Sequence, residues 1–135
     1  MLKYIYKIYK GFKMFDIKVD KDLIEKRKEF IKSERTTEVT IEIEDSVFEK
    51  LEKISKDNDI SINDYLIYLI QEDLISKVDK PTGIHKVIDE AYLSLYIEEL
   101  IDSKTNCLIV DINNFEPKCV LLINEDYEKL KKVED

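Results

Sequence analysis

The sequence predicts an α+β protein, and three observations carry that reading. A stretch near residue 40 alternates apolar and polar side chains and runs into two helical patterns. Two short, nearly all-apolar runs in the last third flank a turn, as strands of a hairpin do. Amphipathic helical spacing precedes each of these regions. The expected order is a strand–helix–turn–helix dimerisation module followed by a small helix–hairpin–helix domain of βαββα type.

The composition limits the alternatives. The chain has 135 residues, 44% hydrophobic and 39% charged, enough for one domain or two small ones. Its net charge of −8 is unevenly spread. Residues 1–35 hold 11 Lys/Arg against 6 Asp/Glu, whereas residues 36–135 hold 11 against 24, a net of −13. An acidic body disfavours broad nucleic-acid affinity, while the basic front remains available as an arm. Cys107 and Cys119 sit in apolar runs without a metal-ligand spacing, which predicts reduced thiols in a core. No apolar run approaches the roughly 20 residues of a membrane span and the start does not resemble a secretory signal, so the cytoplasm is the expected location.

The first thirteen residues alternate Tyr/Ile with Lys, suiting an edge strand or a surface-seeking tail. Lys10-Gly11 must also be encoded with AAGG just upstream of the Met14 codon, where a ribosome-binding site falls. Residues 1–13 are therefore a candidate non-native leader. Residues 14–37 form a basic arm. Within it Leu23, Ile24, Arg27, Phe30 and Ile31 make a narrow stripe on a charged helix with Asp20 as its cap, expected to pack loosely or on a partner. Arg27, Lys28, Lys32 and Arg35 are the cations nearest the strand that follows, and are candidate phosphate contacts or ordinary solvated charges.

Residues 38–75 are the organising stretch. Val39, Ile41 and Ile43 alternate with Glu38, Thr40, Glu42 and Glu44, the period of a half-buried strand. Asp45 and Ser46 offer caps, and Val47, Leu51 and Ile54 continue at helical spacing beside Phe48. Lys56 to Asp59 breaks that helix, and Ser61-Ile62-Asn63-Asp64 has capping-box form before Tyr65-Leu66-Ile67-Tyr68-Leu69-Ile70. A helix apolar on every side needs partners on both flanks. The stretch resembles the ribbon-helix-helix family, in which two chains pair their strands over four intertwined helices and the ribbon enters the DNA major groove. The resemblance implies a homodimer with Val39, Ile41, Ile43, Tyr65, Leu66, Leu69 and Ile70 in its core. It also implies base contacts from Thr40 and Glu42, with phosphate held by amides near Ser61. Three of the four outward strand residues are glutamates here, which phosphates repel, so fold and DNA reading need not go together.

Residues 76–84 contain Pro81 and Gly83 and read as a linker. His85 is the only histidine and has no companion for metal or catalysis. In residues 85–135 a helix is expected over 87–101, strands at Cys107–Ile112 and Cys119–Ile123 around a turn at 113–117, and a final helix over 125–133, with an edge strand near His85. Pro117 to Leu130, reading PKCVLLINEDYEKL, resembles the Phd/YefM (prevent-host-death) antitoxin family, together with Leu93-Ser94, Leu100 and Cys107-Leu108-Ile109 upstream. The turn Asp111–Glu116 is longer than in that family, which usually has basic residues and Gly there.

There is no Gly-rich phosphate loop, histidine pair or nucleophile elbow, so neither an enzyme nor a cofactor or metal is expected. Two functions remain. One is an antitoxin-like dimeric transcriptional regulator that binds operator DNA and neutralises a basic toxin. The other is a dimeric interaction or scaffold protein that keeps the ribbon-helix-helix fold only for assembly.

Overall fold

The structure is a computed structural model that describes residues 16–32 and 34–123. It is a mixed α+β protein. Among the described residues there are four helices, α1 (Lys21–Phe30), α2 (Asp45–Asp57), α3 (Ile62–Ser76) and α4 (Glu90–Asp102), and three strands, β1 (Lys86–Asp89), β2 (Cys107–Val110) and β3 (Pro117–Leu121). The expected alternation in residues 1–13 and the helix over 125–133 lie outside the described residues.

Local chemistry sets the helix boundaries. Asp20 caps α1 by accepting from the Leu23 amide at 3.0 Å, and Ser61 caps α3 through the Asp64 amide at 3.0 Å. The cap of α2 falls on Glu44, whose side chain makes no capping bond, instead of on Asp45 or Ser46. Both α2 and α4 end in a Schellman arrangement. Ile60 donates to the Ser55 carbonyl and Asp59 to Lys56, while Thr105 donates to Leu100 and Lys104 to Ile101. The left-handed residues are Asp59 (φ 54°) and Lys104 (φ 52°), positions where glycine is the usual choice.

The sheet order is β1-β2-β3, with β1 parallel and β3 antiparallel to β2. The parallel pair is joined by α4, a βαβ crossover. The hairpin is anchored at its turn by Asp111, whose carboxylate accepts from the Asn113 amide at 2.8 Å. That bond holds the Asp111 carboxyl below the usual carboxylate range. Val87 and Ile88, expected in the helix, belong to β1, and α4 starts at Glu90. Their apolar run serves a strand and a helix pattern equally well, and pairing with β2 decides it.

Each face of the sheet has its own core. Ile88, Leu100, Cys107 and Ile109 pack with Tyr92 and Leu93 on the α4 side. Ile75, Leu108, Val110 and Ile112 pack on the other, joined by Phe30, Val78, Ile84, Val87 and Phe115. This second cluster draws on both sides of the expected linker at 76–84. The segment makes a turn closed by Ile84 donating to the Pro81 carbonyl at 3.1 Å, with Gly83 at φ 86° supplying the positive angle.

Helix α1 also departs from expectation, because it packs inside its own chain against α4. Leu23, Ile24 and Arg27 are buried. The arm is tied down twice more. Asn58 accepts from the Val19 amide and donates to the Ile17 carbonyl, both at 2.8 Å, and Asn113 links the end of α1 to the hairpin turn. Both cysteines are free, Cys107 buried as expected but Cys119 exposed on β3. They are out of register, since Cys119 lies opposite Ile109 and Cys107 opposite Leu121. Burial pushes the Cys107 thiol up from its ordinary value.

Candidate interaction site

Residues 34–43 precede α2 outside any helix or strand, and among the described residues they pair with no strand. The strand expected from the alternation at 38–44 is therefore not among the described strands, because an alternating pattern becomes a strand only where a neighbour completes the ladder. Val39 is 77% and Ile41 62% exposed, while Ile43 is partly buried. On the helices that follow, Val47, Phe48, Ile67, Leu69, Ile70 and Leu74 are exposed as well. The apolar run of α3 is thus divided. Tyr65 is buried in the chain's own interior, Leu66 and Tyr68 are partly buried, and Leu69 and Ile70 face outward. This follows from a helix apolar all round: one chain covers only one side of it. Thr40 and Glu42 are exposed on the segment before α2, and Ser61 is exposed at the start of α3.

The four candidate cations separate into two groups. Arg27 does not face solvent at all and is 2% exposed. Its Nε donates to Asp89 Oδ2 at 2.6 Å and its Nη2 to Glu72 Oε1 at 2.6 Å, with the Tyr68 ring 5.7 Å from its guanidinium carbon. Arg27 is therefore a core residue, and its expected role as a phosphate contact is corrected. Lys28 is tied to Asp64 at 2.9 Å and Glu25 at 3.5 Å; the Asp64 hydrogen bond raises its pKa. Lys32 and Arg35 are exposed in the stretch that leads to residues 38–43. The Asp64 carboxylate in the first turn of α3 also sets a negative charge close to the amides expected to receive phosphate.

Sequence reasoning missed Asp89 and Glu72 as partners of Arg27. Asp89 is fully buried and works twice: Oδ2 receives Arg27, and Oδ1 caps α4 by accepting from the Tyr92 amide at 2.8 Å. The available signal was the position of Arg27 itself, in register with Leu23 and Ile24 on the apolar stripe of α1. A charge on a stripe that becomes buried requires a counter-charge.

Among the described residues no three His, Cys, Asp or Glu side chains converge as they would around a metal ion, and no helix is long and apolar enough to cross a membrane. No family model matches the chain, and no curated protein or solved structure is significantly similar to it.

Proposed function

We propose that this protein is a homodimeric interaction protein of antitoxin-like character, assembled through residues 38–74 in ribbon-helix-helix fashion, whose acidic body takes a basic protein partner. The observation that carries this reading is the segment at 38–43, unpaired among the described residues, with Val39 and Ile41 exposed and contiguous in sequence with the exposed apolar residues of α2 and α3. An unpaired strand with an apolar face is a template for its own copy, and a two-fold axis pairs it antiparallel with itself. The net charge of −13 over residues 36–135 supports a basic partner through electrostatic complementarity.

A second reading keeps operator DNA, because exposed Lys32 and Arg35 directly precede the segment. With Arg27 inside and Lys28 bound to Asp64, a dimer offers phosphates at most Lys32 and Arg35 from each chain. Four contacts correspond to a log–log salt slope of roughly −4, against roughly −7 for all eight cations of the original set.

Two measurements separate these readings. Sedimentation of the wild type should give an assembly of two or more chains, and Ile41→Glu should reduce its mass to half or less; a wild-type monomer at every concentration would sink the assembly. Titration of the gene's own upstream DNA at two salt concentrations, with wild type and Glu42→Lys, then tests DNA. Binding by wild type with a slope near −4 supports the operator reading, whereas binding by Glu42→Lys alone supports an assembly fold that does not read DNA.

A further inference from the structure

We infer that β3 is a second self-association surface, on which an identical chain pairs antiparallel with Pro117–Leu121 across a two-fold axis. β2 occupies one side of β3, so among the described residues the other edge carries a row of backbone donors and acceptors with no strand beside it. Most of the strand is open on its faces among the described residues, with only Leu121 packed on the α4-side cluster. Lys118, Cys119 and Val120 are exposed. The run from Cys119 to Ile123 is apolar without a break, which suits a strand buried on both faces, whereas a strand with one wet face alternates. An open groove of about 520 Å³ continues this surface, between Leu100 and Ile101 at the end of α4 and Leu121 to Ile123.

Charge selects the occupant. With a net of −13 over residues 36–135, two copies repel each other across most of their surface. Pro117 to Ile123 contains no carboxylate, and its one charge, Lys118, is balanced by Glu90 at 2.7 Å and Asp111 at 3.8 Å. A basic partner suited to the acidic body finds no carboxylate on this strand, whereas a second copy meets no uncompensated like charge. Antiparallel pairing centred on Cys119 or Val120 sets apolar side chains against each other at its middle. This contact is independent of the one through residues 38–74. Two isologous contacts on one chain would build a tetramer where the axes close and a filament where they do not.

Cys119 reports on the arrangement directly. Directly opposed Cβ atoms in such a pair lie about 4.5–5.5 Å apart and diagonal ones about 7–8 Å, so a short bismaleimide bridges two Cys119 thiols in either register. The reduced full-length chain is treated with this reagent at falling protein concentration. The expected result is a covalent dimer whose yield holds over a tenfold dilution, persists in Cys107→Ser and Ile41→Glu, and disappears in Cys119→Ser. Val120→Glu should reduce the yield at least tenfold; Lys118→Glu serves if that variant does not fold. Because Ile41→Glu addresses only the other contact, failure of either interface is distinguishable. Full labelling of Cys119 by a monofunctional maleimide without any covalent dimer would overturn the inference. So would a Cys119 that resists labelling until Leu130→Glu is introduced, because the chain's own C-terminal residues would then be the cover.

Discussion

Arg27 is the residue on which four elements meet: it starts from α1, reaches Glu72 on α3, and binds the carboxylate at the junction of β1 and α4. Taking a guanidinium out of water is costly, and the arrangement holds because two carboxylates and a ring face receive it. Removing it strands the fully buried Asp89. Arg27→Ala should therefore lower unfolding free energy by about 3–5 kcal/mol in urea titration, whereas Arg27→Met, which keeps the packing, is still left with the unpaired Asp89. Asp89→Asn should keep the cap on α4 and lose the ion pair. A second residue-scale contact is testable by pH. Tyr96 donates its hydroxyl to Asp20, and that bond pushes the phenol up to about 12. The folded value lies above the ordinary one near 10, so its stabilisation is complete below about pH 10 and is lost as pH rises towards 12. Spectrophotometric titration should show a late-ionising tyrosine that Tyr96→Phe removes, beside Tyr68, which burial also pushes up, with the alkaline decline in melting temperature changing accordingly.

Among the elements, the helix ends show what a chain with only two glycines has to accept. Schellman caps after α2 and α4 place Asp59 and Lys104 in the left-handed region, where a Cβ costs roughly 1–2 kcal/mol. Lys104→Gly relieves this strain but loosens the unfolded chain, so the net expected gain is about 0.5–1 kcal/mol, read as an increase in urea midpoint. The hairpin shows the converse, a turn with a purpose. The side chain of Asn113 both accepts from the Lys32 amide and donates to the Phe30 carbonyl, so the loop that joins β2 to β3 also stops α1. The arm is thereby a structural layer of the C-terminal sheet, and its basic residues are divided between core and surface for that reason.

For the whole molecule, the described chain buries two small clusters on the sheet and leaves Val39, Ile41, Ile70 and Val120 largely in water. Association of the proposed kind would stabilise the fold and make its melting temperature depend on concentration. A hundredfold increase in protein concentration should raise the wild-type melting temperature, while Ile41→Glu should lose the share of that dependence that comes from residues 38–74 and keep the far-ultraviolet spectrum of the sheet and α4. That separation is expected because residue 41 touches neither core cluster. An unchanged wild-type melting temperature over this range would count against assembly through residues 38–74.

What the sequence by itself determined is the set of local elements. Period-3.6 patterns, two apolar runs, the caps at Asp20 and Ser61 and the turn at 113–117 locate the helices and the hairpin, because these depend on neighbours a few residues away, whereas the period-2 pattern at 38–44 corresponds to no described strand. Tertiary structure decided the roles. Val87 and Ile88 became strand because β2 lies alongside; Arg27 became core because Asp89, 62 residues away, meets it; Cys119 became surface because β3 is the edge. Each of these depends on which distant segment comes into contact, and a pattern within one stretch contains no record of that contact. The segment at 38–43 marks the limit of the same argument, since among the described residues no strand lies beside it and its alternating pattern does not name a partner.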